Sequence, residues 1–166
     1  MRVVVFGWGN DARGDDGLGP RLLERVAKAG FAGVTTVEEY QLQIEHALDL
    51  DGAEAALFLD AGRETPAPFA FAEIAPRGDE SHTTHALSPE AVLDVYQRAF
   101  RRTAPPSFAL ALRGDRFELG EGLSPAASDR LEAAWAFVQA LMRERSLDAW
   151  RKAARASAQG GTRAGR

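Results

Sequence analysis

Three acidic side chains crowd one turn near the start of the chain. Asp11, Asp15 and Asp16 lie in Gly7-Trp8-Gly9-Asn10-Asp11-Ala12-Arg13-Gly14-Asp15-Asp16-Gly17, directly after the apolar run Val3-Val4-Val5-Phe6. A glycine turn that opens a helix normally welcomes an anion, because unpaired N–H groups and the helix dipole are positive there. Three carboxylates reverse that preference and favour a cation. More acids stand at the ends of two later apolar or β-branched stretches: Glu38 and Glu39 after Val34–Val37, and Asp60 after Ala55–Leu59. Two histidines, His82 and His85, sit three apart in a polar loop before Ser88-Pro89-Glu90. Carboxylates with imidazole form a suitable ligand set for a divalent transition ion such as nickel or zinc.

Each feature taken alone has a plainer explanation. Acids in a first helical turn stabilise the helix dipole by ~0.3–1 kcal/mol with no further role. Asp60 could be a turn or cap residue, and His82 and His85 two surface histidines. His46, with only Glu45 beside it, reads as non-functional. Several other chemistries are excluded outright. The chain has no cysteine, so thiolate catalysis, disulfides and zinc–thiolate sites are absent. G-x-S-x-G and His-Glu-x-x-His are also missing. Gly7-Trp8-Gly9-Asn10-Asp11-Ala12 does match the dinucleotide pattern G-x-G-x-x-A. However, the nearby aspartates would repel a pyrophosphate by ~1–4 kcal/mol per close pair, and Glu38 lies further along than the usual acidic partner at ~20 residues.

These residues need elements to hold them. Residues 2–7, Val34–Tyr40, Ala55–Leu59 and Ser107–Leu112 read as strands, with an edge strand within Pro66–Ile74. Helices are expected from Asp16 to Ala29, over Gln43–Leu50, from Ser88-Pro89, and from Ser124-Pro125 to Met142. The alternation predicts an α/β fold: a three-layer sandwich with a largely parallel central sheet of about five strands and helices on both faces. Ligands in such sheets bind beyond the carboxyl ends of the strands, where Asp15, Asp16, Glu38, Glu39 and Asp60 fall. The 166 residues suit one domain, placed at 1–143. Residues 144–166 read as a flexible basic tail: from Arg143 onward the net charge is +5, against −9 for the rest. That acidic body argues against nucleic acid as a partner. The first apolar run is too short for a signal peptide and no later one suits a membrane span, so a cytoplasmic protein with no membrane partner is expected.

The motifs together resemble a family. Gly7-x-Gly9-Asn10-x-x-x-Gly14-Asp15-Asp16-Gly17-x-Gly19, Leu57-Phe58-Leu59-Asp60-Ala61, Thr84-His85-Ala86-Leu87-Ser88 and Gly120-Glu121-Gly122-Leu123-Ser124-Pro125 are similar, in order, to the signatures of the endopeptidases that mature nickel–iron hydrogenases. The resemblance spans about residues 1–142. It implies an endopeptidase that removes a C-terminal extension from the hydrogenase large-subunit precursor once nickel is inserted. The nickel would be supplied by the substrate rather than stored in the protease. Residue by residue, Asp16, Asp60 and His85 would be the metal-facing and catalytic groups, flanked by Asp15 and His82. Trp8 is bulkier than expected between the two glycines. Glu38-Glu39-Tyr40-Gln41-Leu42 replaces the glycine-rich segment that many members carry. Two other functions use parts of the same pattern: a non-catalytic nickel-handling or hydrogenase-assembly chaperone, and a dinucleotide-binding module.

Overall fold

The computed structural model describes residues 1–78 and 86–163, the side chains of 161–163 apart. Five strands form one sheet: β1 (Val3–Trp8), β2 (Val34–Glu39), β3 (Ala55–Gly62), β4 (Phe69–Ile74) and β5 (Ser107–Arg113), in the order β2-β1-β3-β5-β4. Only the β4–β5 pair is antiparallel. Four helices are α1 (Leu18–Ala29), α2 (Pro89–Phe100), α3 (Pro125–Glu144) and α4 (Leu147–Arg163), with 3₁₀ turns over Gly14–Gly17 and Ile44–Leu50. The expected sandwich of largely parallel strands is present, and the edge strand within Pro66–Ile74 is β4.

Strand alternation divides the core into two layers. Val3 and Val5 of β1 and Leu57 and Leu59 of β3 face α1, α3 and α4, whose Leu22, Val26, Ala134, Val138 and Trp150 close that side. Val4, Phe6, Ala56 and Phe58 face the other way, onto Leu42, Ala47 and Leu50 around the second 3₁₀ turn and onto Val92, Leu93 and Tyr96 of α2. Because both faces are covered, β1 and β3 carry unbroken apolar runs rather than an apolar–polar alternation. Each fully buried Val, Leu or Phe contributes about 1.5–3 kcal/mol. Two Ser-Pro steps start helices as expected: the Ser88 and Ser124 hydroxyls accept from the Ala91 and Ala127 amides, with Pro89 and Pro125 in the first turns.

The expectation of a flexible tail over 144–166 does not survive for 147–163. These residues form α4, which lies along the outer edge of β4. Trp150 is fully buried, packs edge-on against Phe108 at 5.2 Å and donates its indole N–H to the Leu141 carbonyl at 3.1 Å. The Phe71 amide, which points off the sheet edge, donates to the Ser157 hydroxyl at 3.0 Å, and Arg151 grips the Glu73 carboxylate. One large aromatic plus small residues at helical spacing anchors this segment. Lys152 and Arg155 are exposed on this helix.

Candidate functional site

The chain leaves β1 towards β2 on one side and later returns to place β3 on the other, so the strand order diverges at β1. In open α/β sheets that divergence opens a crevice at the carboxyl ends of the strands. Here the crevice receives the turn after β1 and the end of β3. Gly9 makes the turn possible: its φ is 140°, and a Cβ there would collide with the Asp16 carbonyl. Gly19 lets α1 approach the strand ends, because a Cβ there would lie 2.6 Å from the Trp8 carbonyl and 2.9 Å from that of Leu59.

Asp16 lies in the 3₁₀ turn Gly14–Gly17 that precedes α1. Its Oδ2 accepts the Asn10 amide at 2.7 Å, and the Asn10 side chain in turn accepts from the Ala12 amide at 2.9 Å. Asp60, half-buried near the end of β3, accepts only from the adjacent Ala61 amide, at 2.8 Å, among the described residues. Burial pushes the Asp60 carboxyl up to about 6, the Ala61 amide opposes that rise, and the negative charge of Asp16 adds to it. Asp16 and Asp60 therefore interact across the crevice although 44 residues separate them in the chain.

The neighbouring acids have other attachments. Asp15 is fully buried and accepts four hydrogen bonds, from the Ser124, Asp115 and Arg116 amides and the Ser124 hydroxyl. Burial alone would raise its pKa, but these donors outweigh burial and hold it below the ordinary carboxylate value. Asp11 pairs with Arg21 at 3.0 Å. Glu38 and Glu39 line a shallow cavity of about 280 Å³ with Gly9, Asp11, Pro20 and Tyr40, on the β2 side of the turn. On the β5 side the Arg63 guanidinium lies 4.4 Å over the Phe117 ring.

Of the residues predicted from sequence, Asp16 and Asp60 both stand at the carboxyl end of the sheet, on the Gly14–Gly17 turn and on the end of β3, which pack against each other. His82 and His85 lie outside the described residues. Among the described residues no group of three His, Asp or Glu side chains gathers at one metal-sized position. His46 is buried and serves the backbone: its Nδ1 accepts the Gln43 amide at 2.8 Å, and its ring meets Phe6 edge-on. The residue that sequence reasoning undervalued is Asp15. Its partners lie about a hundred residues away, and only the Ser124-Pro125 helix start hinted at them. Among the described residues no helix is long and apolar enough to cross a membrane.

Solved structures share this architecture. The chain has the fold of hydrogenase maturation proteases, a class whose members superpose over most of its length. The Escherichia coli hydrogenase maturating endopeptidase HybD matches with a TM-score of 0.67 at 21% identity, covering 88% of this chain and 94% of its own. The Thermococcus kodakarensis [NiFe] hydrogenase maturation protease HycI matches with a TM-score of 0.66 at 20% identity, covering 86% and 92%. A hydrogenase 2 maturation peptidase from a Thaumarchaeota archaeon matches at 24% identity, with a TM-score of 0.61 and coverage of 85% and 98%. No family model matches the sequence, and no curated protein matches it significantly.

Proposed function

We propose that this protein is a cytoplasmic hydrogenase-maturation endopeptidase that removes the C-terminal extension of a nickel-loaded large-subunit precursor. The observation that carries the reading is the Asp16–Asp60 pair, set on a fold shared with maturation proteases. Amide hydrolysis adds water to the carbonyl carbon, breaks the C–N bond and delivers a proton to the departing amine. A polarised carbonyl and a group able to carry a proton near neutral pH are both required. Nickel held by the substrate polarises the carbonyl when Asp16, Asp60 and His85 complete its coordination. Before substrate binds, burial holds Asp60 towards its neutral form, with its carboxyl raised to about 6; as a ligand it would give up that proton on meeting the nickel, which leaves it available to the departing amine. Asp16, held by the Asn10 amide, orients water or metal as a fixed anion. Dependence on substrate nickel also makes the reaction a checkpoint, because a metal-free precursor lacks part of the site.

The test is mass spectrometry of nickel-loaded and metal-free precursor incubated with the protein. The reading expects loss of a C-terminal peptide from the loaded form only, abolished by Asp16→Asn, Asp60→Asn and His85→Ala. Binding of the loaded precursor without mass loss would replace the protease with a nickel-handling chaperone. Normal processing by all three variants would end the site assignment.

A further inference from the structure

Asp15 immediately precedes the carboxylate assigned to the crevice, yet its own side chain is fully enclosed. Oδ1 accepts the Ser124 amide at 2.8 Å, while Oδ2 accepts the Asp115 amide at 2.8 Å, the Arg116 amide at 3.0 Å and the Ser124 hydroxyl at 3.0 Å. The backbones on either side are stitched together as well. The Asp15 amide donates to Arg116 at 2.7 Å, Gly14 to Glu121 at 3.0 Å, and Gly120 to Ala12 at 2.7 Å. Two regions about a hundred residues apart thus meet on one carboxylate: the turn carrying Asp16, and the stretch that runs from the loop after β5 to the N-cap of α3. The Ser124 hydroxyl also accepts the Ala127 amide, so the same group that starts α3 reaches Asp15.

We propose that Asp15 is a positioning residue, which locks the Gly14–Gly17 turn to the 114–124 loop and so fixes where the Asp16 carboxylate stands relative to Asp60. The chemistry of the four donors requires an ionised acceptor. An ionised carboxylate only accepts and offers about four lone-pair sites over its two oxygens, which matches the four N–H and O–H donors here. An amide in its place would turn an NH₂ towards donors. The turn has no other side-chain anchor to that loop among the described residues. The 3₁₀ turn has no side-chain cap of its own, and among the described residues the Asp16 carboxylate is bonded only to the Asn10 amide. Any slackening at Asp15 is therefore transmitted to Asp16 through one peptide unit.

The role in catalysis rests on the endopeptidase reading, whereas the positioning itself has a separate readout. The Asn10 amide donates to Asp16 Oδ2, so its hydrogen exchange reports whether the Asp16 carboxylate is in place. In Asp15→Asn, exchange at Asn10 is expected to accelerate by roughly tenfold or more, while β3 amides stay protected. Turnover of nickel-loaded precursor is expected to drop by about 10–100-fold in kcat, with KM within about twofold. Ser124→Ala, which keeps its amide donor, folds more surely and is expected to show the same pattern at a few-fold scale. Val138→Ala, a packing change in α3, is the control: it lowers the melting temperature without moving either readout. Faster exchange at Asn10 in a protein whose wild type cleaves nothing would keep the positioning role and remove the endopeptidase reading. Unchanged Asn10 exchange and unchanged kcat in both Asp15→Asn and Ser124→Ala would overturn the proposal.

Discussion

Asp15 and Asp60 both belong to the carboxyl end of the sheet, and both are removed from bulk water, yet the fold treats them in opposite ways. Asp15 is enclosed more completely but meets four donors, so its ionised form is favoured. Asp60 is only half-buried but meets one neighbouring amide and the like charge of Asp16, so its neutral form is favoured up to a pH of about 6. Burial raises both carboxyls: at Asp15 four donors outweigh it, whereas at Asp60 burial dominates, a single amide opposes it and the Asp16 charge adds to it. The Asp15 joint spends its hydrogen bonds on structure. Among the described residues the Asp16 and Asp60 carboxylates each accept one amide, which leaves acceptor capacity in the crevice.

That contrast is open to direct attack. Asp60→Asn should have the largest effect on activity, cutting precursor turnover by about 10²–10⁴-fold in the mass-spectrometric assay, a range typical for loss of a proton-transferring group. Asp15→Ala should have the largest effect on stability. Four donors lose their acceptor in a closed site, and denaturant unfolding should show a loss of about 3 kcal/mol or more. If Asp15→Ala were neutral, the two carboxylates would not differ as described.

The pH dependence sharpens the comparison. The Asp60 carboxyl is raised in the folded state, so its contribution to stability is complete below its ordinary value of 3.8 and is lost as pH rises through about 6. Asp60→Asn should therefore stabilise the protein at pH 7 by about 1–3 kcal/mol, allowing for partial solvent screening, with the gain vanishing below about pH 4. A variant that stabilises the fold while abolishing turnover is the pattern expected of a site strained for function. Asp15 has the reverse sign: its contribution is present above the ordinary carboxylate range and is lost as pH falls through its lowered value. Ser124→Ala should have the smallest effect, about 1–2 kcal/mol, from one lost hydroxyl donor and one lost helix cap. Thermal unfolding followed at pH 4 and pH 7 measures all three variants.

Much of the sheet was legible because burial on both faces writes itself as continuous apolar runs. Val3–Phe6 and Ala55–Leu59 announce β1 and β3, and the acid after each run falls at the strand end where this architecture opens a crevice. Ser88-Pro89 and Ser124-Pro125 mark helix starts by local chemistry that needs no tertiary context. The role of Asp15 was not legible, because two adjacent aspartates look alike in sequence and only Asp15 meets donors from residues 115, 116 and 124. In sequence, the 147–163 segment reads as tail because its positive charge is conspicuous. Its anchors, by contrast, are one tryptophan, small residues and the Ser157 hydroxyl on the β4 edge. The exposed Lys152 and Arg155 of α4 are what remains of the tail reading.

A titration of the side-chain carboxyl carbons by NMR tests the account at its centre. Asp60 should change ionisation at a pH of about 6, and Asp15 should stay ionised to below the usual carboxylate range. Removing the Asp16 charge with Asp16→Asn should lower the Asp60 midpoint. An Asp60 that titrates near 4 and ignores Asp16 would show two unrelated surface acids, and the crevice would have no claim to chemistry.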